Sequence, residues 1–500
     1  MQASKRRAAV LAAYLGTFLA TLDISIVNVA LPSMQTALQT DIAGMQWVVN
    51  VYAIGLSAIM LSAGSVADKV GHKRCWLAGA IVFTLASWLC GVAPSVSWLL
   101  WGRALQGLSA AFLIIGALPI LTHLYTDPAE RAHCIGGWSA FTALALILGP
   151  LLGGVLLEQW GWQSIFLINL PLGACAIVLG AWAIPERRYV DQAAKDPIGQ
   201  LLSLVILGAL AYGTIAAGQE GVTGVTPMWC WAIAVVGVLA FIQVERKVTN
   251  PLIPLVLFKK PVFAVANMAS FFLGFSYYSS LFFFSLYFQQ VQEWSPAEAG
   301  WRMMPLFIAT GCVSLCFGRF SENTKVSTLM TAGYVLIAVS MAAMMWCTVD
   351  TPYWIMGSLL LIMGVGAGFA VPGTSLTIMS MAPAELTGSV SGTMNALRQA
   401  GMTMGIALLG VILSAEAITE LTQRLSAEGV DQAAHLAQQA VLYHEGVHGL
   451  SGMAGDYALS MASGFQMAML VAGLLSGVSA VLLWLSRRFE AQTVLQTVEA

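Results

Sequence analysis

Long apolar runs, separated by short polar or Pro/Gly-rich joints, make up most of the chain. Each run has about 18–25 residues, enough for a helix to cross the ~30 Å hydrocarbon core of a bilayer. The pattern predicts fourteen spanning helices, with the two termini on one side, at about 8–31, 44–65, 75–93, 97–121, 134–157, 164–184, 198–217, 227–244, 262–288, 302–318, 327–347, 354–379, 391–414 and 458–485.

The basic residues of the joints are distributed unevenly. Of the 22 lysines and arginines, 18 fall on the side of the termini, and this bias marks the cytoplasmic side. We therefore expect a multi-pass protein of the cytoplasmic (inner) membrane with both termini in the cytoplasm. The other four are Arg103 and Arg398, inside spans, and Arg302 and Arg424, on the opposite side.

An internal repeat relates the first six spans to the last six. Matching positions recur at offsets of 254, 257 and 252 residues: Gly64/Gly318, Asp68/Glu322, Gly107/Gly364, Phe112/Phe369, Gly116/Gly373, Gly136/Gly388, Gly149/Gly401 and Gly153/Gly405. A shared offset in three segments indicates two six-helix halves. The predicted units are 1–190, two inserted helices in 191–250, and 251–500, which includes a long extracytoplasmic loop at 415–457 that is polar and partly helical.

Composition supports the membrane assignment. The chain of 500 residues is 58% hydrophobic and only 9% charged, against about 25% charged in soluble domains. The fold class is therefore an all-α polytopic membrane protein. A net charge of −2 without a basic arm gives no sign of nucleic-acid binding, and the eight cysteines lack ligand-like spacing. The bilayer is the expected partner, and we expect a monomer without cofactor or metal.

Asp23 is the only acidic residue deep in a predicted span. An ionised Asp at the centre of a membrane helix costs roughly 2.5–3.5 kcal/mol on insertion scales. Desolvation disfavours the charged form of a carboxylate, so a buried Asp is suited to carry a proton. The alternative is a packing element whose carboxylate is satisfied by neighbouring helices.

Five segments carry motifs, in order and at matching spans: Leu22–Pro32 in the first span, Gly64–Arg74 after the second, Arg103–Gly107 in the fourth, Gly149–Gly154 in the fifth and Trp162–Gly173 at the sixth. Together they resemble the major facilitator superfamily, and within it the fourteen-helix drug:proton antiporter branch. One departure is Gln163, which stands where that branch usually has Arg. The resemblance implies the major facilitator fold of two six-helix halves plus two inserted helices.

The resemblance also implies roles for Asp23 and Arg103 and for the loop after the second span. Arg103 is expected beside Asp23, because the fourth helix packs near the first in this fold, and the two form the proton-coupling pair. The loop after the second span is expected to act as a gate that does not touch substrate, although it also has the composition of an ordinary solvated loop. Its residues, with Arg131 as a candidate partner of Asp68, are Gly64, Asp68, Gly71, Lys73, Arg74 and Arg131.

The fifth span carries the motif that, by resemblance, marks exporters. Gly149, Gly153 and Gly154 remove side chains from one region of the helix, and Pro150 deletes a backbone donor, which predicts close packing and a bend. Generic packing of small residues is the alternative.

Residues expected to contact substrate are spread over several spans. The aromatic ninth span offers Tyr277 and Tyr278, whose rings are suited to flat lipophilic cations, although core or lipid-facing rings are an equally ordinary use. Arg398, beside Asn395, is a gate, a substrate contact or a snorkelling side chain. The full set is Asp23, Asn28, Gln106, Tyr277, Tyr278, Asn395 and Arg398.

Two further patterns resemble motifs of soluble enzymes. His444-Glu445-Gly446-Val447-His448 matches HExxH, but Gly446 weakens the helix that would align the two imidazoles. The GxGxG at 364–368 lies inside a span without a preceding strand, so we interpret it as helix packing.

These observations predict a proton-coupled antiporter, not an enzyme. Its expected cargo is small, amphipathic and cationic, such as drugs or antiseptics, and it works by alternating access. No Walker motif is present. Three alternatives stay open: export of an endogenous metabolite, peptide or siderophore on the same fold, a membrane metalloprotease that uses the HExxH segment, and an uncoupled channel.

Overall fold

The computed structural model describes residues 3–38, 42–125, 127–186, 197–221, 223–248, 255–294, 296–443 and 453–499. Helices dominate this part of the chain. In the region of the first six spans they are α1 (Ala3–Ala37), α2 (Ile42–Val70), α3 (His72–Gly91), α4 (Val96–Leu124), α5 (Pro128–Trp160), α6 (Ser164–Leu167) and α7 (Asn169–Ala183). The inserted pair is α8 (Pro197–Glu220) and α9 (Val225–Glu245).

The remaining helices follow the same order of long apolar elements. They are α10 (Leu255–Phe258), α11 (Pro261–Leu273), a π-helical turn (Gly274–Tyr278), α12 (Ser279–Leu286), a second π-helical turn (Tyr287–Val291), α13 (Pro296–Arg302), α14 (Met304–Asn323), α15 (Val326–Ala343), α16 (Tyr353–Ser380), α17 (Thr387–Ala427), α18 (Ala433–Tyr443) and α19 (Met453–Glu499), with short 3₁₀ turns at Met344–Trp346 and Ala384–Leu386.

Local chemistry explains several helix starts. The Ser95 side chain accepts a hydrogen bond from the Trp98 N–H at the start of α4. Asp127 caps α5 through the Glu130 N–H, at 2.9 Å, with Pro128 in the first turn, where its missing donor costs nothing. Gly71, at φ 116°, makes the tight joint between α2 and α3.

The described residues include twelve helical segments long and apolar enough to cross a membrane. The predicted all-helical membrane fold is confirmed. The second and seventh predicted spans lie in α2 and α8, whose described apolar windows are shorter, so the count of fourteen stays a prediction. The predicted unit boundaries after 190 and 250 fall outside the described residues.

Equivalent glycines of the repeat make equivalent contacts. A Cβ on Gly107 of α4 would come within 2.3 Å of the Tyr52 carbonyl on α2. A Cβ on Gly364 of α16 would come within 2.2 Å of the Leu306 carbonyl on α14. The GxGxG segment that contains Gly364 is therefore a helix-packing element, as the sequence predicts.

Two close backbone contacts between the two halves lie at one end of the bundle. α1 begins there, and Arg6 pairs with Glu130 at 3.3 Å; we call it the basic end. At this end Gly64 of α2 meets the Gly388 backbone of α17, and Gly136 of α5 meets the Ser314 carbonyl of α14. These glycines allow the backbones to approach, which brings the halves together at the basic end.

The segment 415–457, predicted as a partly helical loop, contains helices in the part that the structure describes. α17 continues to Ala427 and α18 spans Ala433–Tyr443. Leu421 and Leu425 are buried, and Arg424 pairs with Glu420 at 2.7 Å. The apolar stripe and the i, i+4 ion pair stabilise the helical continuation of α17.

Candidate functional site: a buried carboxylate cluster and a latch between the halves

Asp23 is fully buried in α1 and is surrounded by hydrogen-bond donors. Arg103 of α4 forms an ion pair with its Oδ2. Oδ1 accepts hydrogen bonds from Gln106 Nε2 at 3.0 Å and from Asn169 Nδ2 at 3.1 Å. Donors on both oxygens stabilise the ionised form of a carboxylate and offset the cost of its burial.

Arg103 is itself held on several sides. Its Nε donates to the backbone carbonyl of Val48 on α2 at 3.0 Å, and its Nη1 donates to Gln106 Oε1 at 2.9 Å. The guanidinium carbon lies 4.3 Å from the centroid of the Tyr52 ring. This planar, multiply bonded setting uses the fork geometry of arginine, which lysine does not reproduce.

Ser87 of α3 completes the polar cluster. Its hydroxyl accepts from Gln106 Nε2 at 2.8 Å and from Asn169 Nδ2 at 3.3 Å. Asn169 begins α7, and its Oδ1 has no hydrogen-bond partner among the described atoms. We refer to Asp23, Ser87, Arg103, Gln106 and Asn169 as the Asp23 cluster; it joins α1, α3, α4 and α7.

The sequence predicted only part of this cluster. The Asp23–Arg103 pair lies where the resemblance placed it, whereas Gln106, expected to contact substrate, binds Asp23 directly. Asn169 was noted only as one residue of the sixth-helix motif. Ser87 was not singled out, because a lone serine in an apolar helix is unremarkable. The side chain of Asn28 lies outside the described residues.

Asp68, in the last turn of α2, joins the two halves. Its Oδ1 accepts the Gly388 N–H at 2.8 Å, and its Oδ2 accepts the N–H and the hydroxyl of Ser389, both at 2.8 Å. Gly388 and Ser389 belong to the first turn of α17, whose N–H groups have no partners within the helix. A buried carboxylate there satisfies these donors and lies at the positive end of the helix dipole. We call Asp68, Gly388 and Ser389 the latch.

The predicted partner of Asp68 is wrong. Arg131 Nε donates to the Tyr125 carbonyl at 3.2 Å, near the joint between α4 and α5. A titratable neighbour of Asp68 is instead His72, whose Nε2 lies 3.2 Å from Oδ1. A helix terminus of the other half supplies the donors that the sequence analysis assigned to an arginine.

The other residues of the predicted gate tie α3 to the end of α7. Lys73 Nζ donates to the Ala181 carbonyl at 2.7 Å, and Arg74 pairs with Glu186 at 3.3 Å. Gly64 is needed for the latch, because a Cβ there would lie 2.3 Å from the Gly388 carbonyl.

The fifth-span motif is only partly a packing element. A Cβ on Gly149 would lie 2.3 Å from the Ser25 hydroxyl of α1, so the close contact predicted there exists. Nothing lies within 4 Å of a Cβ on Gly154, so close packing at that position is wrong. α5 runs through position 150 as one helix; the side chain of Pro150 lies outside the described residues. Gly153 is buried.

In the second half the predicted substrate residues separate into two groups. Arg398 Nη2 donates to Asn395 Oδ1, and its guanidinium carbon lies 5.6 Å from the centroid of the Tyr278 ring. Tyr277 is buried, with its hydroxyl 3.4 Å from that of Thr310 on α14. Tyr278, Asn395 and Arg398 therefore lie together, whereas Tyr277 packs within its own half. The HExxH segment at 444–448 lies outside the described residues.

Comparison with known proteins identifies the family. The sequence profile of the Major Facilitator Superfamily matches residues 13–406. The chain belongs to this superfamily. Its similar relatives include the methylenomycin A resistance protein of Streptomyces coelicolor (34% identical over 400 residues; 80% of this chain, 84% of the relative). Two others are the multidrug resistance protein Stp of Mycobacterium tuberculosis (34%; 80% and 74%) and the tetracenomycin C resistance and export protein of Streptomyces glaucescens (30%; 81% and 75%).

Solved structures of the superfamily share the fold. The human organic anion transporter MFSD10 superposes with a TM-score of 0.62 at 14% identity, covering 96% of this chain and 99% of the other. The resemblance to major facilitator transporters, and to drug-resistance members in particular, is confirmed. The protein is therefore a multi-pass membrane protein of a transporter superfamily, not an enzyme.

Proposed function

We propose that this major facilitator protein exports small amphipathic compounds, such as drugs or antiseptics, in exchange for protons. The Asp23 cluster carries the proposal: a carboxylate withdrawn from solvent and held by Arg103, Gln106 and Asn169 in a bundle whose relatives are named for drug resistance. Transport runs outward across the cytoplasmic membrane, with the basic end in the cytoplasm.

Asp23 is the proposed proton carrier. As a carboxylate it accepts three donors, and as a carboxylic acid it loses the charge that attracts Arg103. Protonation therefore weakens the ion pair and frees donors that the carboxylate had satisfied. A carrier of this kind has two discrete arrangements, which is what alternating access requires.

Helix α2 is the proposed link between the proton and the gate. Arg103 contacts α2 at Val48, and Asp68 of the same helix belongs to the latch. A change at Asp23 that moves Arg103 is thus transmitted along one helix to the contact that closes the basic end.

The charge of the cargo is a separate question. The rings of the ninth span led to the prediction of cationic cargo, and Asp23 adds no net negative charge to it, because Arg103 compensates that charge. The carboxylate therefore does not select cations by itself.

Transport into everted membrane vesicles tests the proposal. A panel of fluorescent cations and neutral drugs is followed in vesicles with an imposed pH gradient, for the wild type, Asp23→Asn and Asp350→Asn, the last in an exposed turn. We expect uptake that a protonophore abolishes, at least a tenfold loss in Asp23→Asn, and no change in Asp350→Asn. Full proton-driven uptake by Asp23→Asn refutes the proposal.

The same preparation separates the alternatives. Flux that does not saturate or exchange would indicate a channel. Bound zinc together with loss of function in His444→Ala would indicate the protease. Proton-driven transport of metabolites, peptides or siderophores, with no drug transported, would keep the mechanism and change the cargo.

A further inference from the structure

Arg398 differs from the other charged side chains inside the predicted spans. Asp23 and Arg103 compensate each other. Arg398 forms no ion pair with any carboxylate in the part of the chain that the structure describes. An uncompensated charge within a membrane bundle is costly and marks a pathway or a binding site.

Arg398 lies on the face of α17 that is turned toward the first half. Ser391, Asn395 and Arg398 follow one another at helical spacings of four and three, so they share one face of α17. The Ser391 hydroxyl donates to the Ile115 carbonyl of α4 at 3.0 Å, so this face is turned to the first half. Arg398 lies eleven residues after Thr387, about 16 Å into the bundle at 1.5 Å per residue.

Among the described residues, most N–H donors of Arg398 have no hydrogen-bond acceptor. Its guanidinium has five N–H groups, and the described hydrogen bond to Asn395 uses one. The side chain is partly exposed, and the Tyr278 ring flanks it at 5.6 Å.

Close backbone packing fixes this geometry. A Cβ on Gly274 would lie 1.9 Å from the Arg398 carbonyl, and one on Gly401 would lie 1.9 Å from the Phe271 carbonyl. The π-helical turn Gly274–Tyr278 is therefore pressed against α17 at the level of Arg398. This contact places the Tyr278 ring beside the guanidinium.

We propose that Arg398, Asn395 and Tyr278 form a cargo site for organic anions: amphipathic compounds whose ring packs on Tyr278 while a carboxylate or acidic phenol binds Arg398. The site is selective because a guanidinium binds such oxygens in a forked geometry and repels an organic cation. This proposal rests on the proposed export function and adds the charge of the cargo.

Equilibrium binding to the purified full chain in nanodiscs, without any gradient, tests it. The probes are fluorescein, an anion, and rhodamine 123, a cation on the same xanthene ring system. We expect the wild type to bind fluorescein more tightly, and Arg398→Gln to lose about 10- to 100-fold in fluorescein affinity, the effect of removing a charged hydrogen-bonding partner. Arg398→Lys should retain the anion preference at reduced affinity. This variant tests the proposal if Arg398→Gln does not fold.

Arg302→Gln is the matched control, because Arg302 stacks on Trp294 at the opposite end and should not affect the preference. Wild-type protein that binds rhodamine 123 as tightly as fluorescein overturns the proposal, and so does an unchanged preference in Arg398→Gln. Failure of proton coupling appears separately, as absent gradient-driven transport with the binding preference intact.

Discussion

Arg103 and Val48 are joined by a hydrogen bond of 3.0 Å from Nε to the backbone carbonyl. Val48 lies near the start of α2 and Asp68 near its end, about 30 Å apart at 1.5 Å per residue. The Asp23 cluster and the latch therefore contact opposite ends of one helix.

Arg103→Lys tests this connection. Lysine keeps the positive charge, but its single ammonium group does not bond Asp23, Gln106 and Val48 at once. We expect proton-driven uptake in everted vesicles to fall at least tenfold, with normal amounts of protein in the membrane. Arg424→Lys, whose arginine pairs with Glu420, serves as control. Unaltered transport in Arg103→Lys contradicts the role given to α2.

Asn169→Leu tests how Asp23 is held. The amide donates to the Asp23 carboxylate, so its removal leaves the carboxylate with one donor fewer. We expect proton-driven uptake in everted vesicles to fall by about tenfold, the effect of one hydrogen bond to a charged group. Asn323→Leu, exposed at the end of α14, is the control. Unchanged uptake in Asn169→Leu argues against the assignment.

Gly388→Ala tests the latch. A Cβ there would lie 2.4 Å from Asp68 Oδ1 and 2.6 Å from the Gly64 carbonyl, so the two halves must separate. We expect loss of transport and faster maleimide labelling of a cysteine placed by Ser391→Cys in a chain freed of its native cysteines. Gly154→Ala, where a Cβ meets nothing within 4 Å, should leave both unchanged. Equal labelling of the two alanine variants would show that the latch does not close the basic end.

The membrane potential should drive export of an organic anion. One proton moving inward against one anion moving outward transfers two charges per cycle, and each charge is worth ~2.3 kcal/mol per 100 mV. A potassium–valinomycin diffusion potential without a pH gradient should therefore drive fluorescein transport in proteoliposomes. Transport indifferent to the potential would instead fit electroneutral exchange of a cation for a proton.

More of the fold than of the site could be predicted from the sequence. The spans, the repeat and the Asp23–Arg103 pair follow from patterns that neighbouring residues or a motif carry. Helix within 415–457 was expected, but not that α17 continues without a break to Ala427, because polar composition does not show where a helix that packs on its neighbours ends. Gln106 was recognised as functional, but its hydrogen bond to Asp23 was not predicted.

The sequence alone determined what hydrophobicity and charge dictate: an all-helical membrane protein, a costly buried carboxylate and the cation nearest to it by motif. Only the tertiary structure decided which donors meet each acid. Asp68 binds the backbone of α17, more than 300 residues away in the chain, and Arg398 lies without a carboxylate partner in the described residues. The sequence does not show which backbone N–H groups bind a carboxylate, because these groups are common to nearly all residues. Whether a charged side chain has a partner depends on how the helices pack. Neither feature can therefore be found before the helices are assembled.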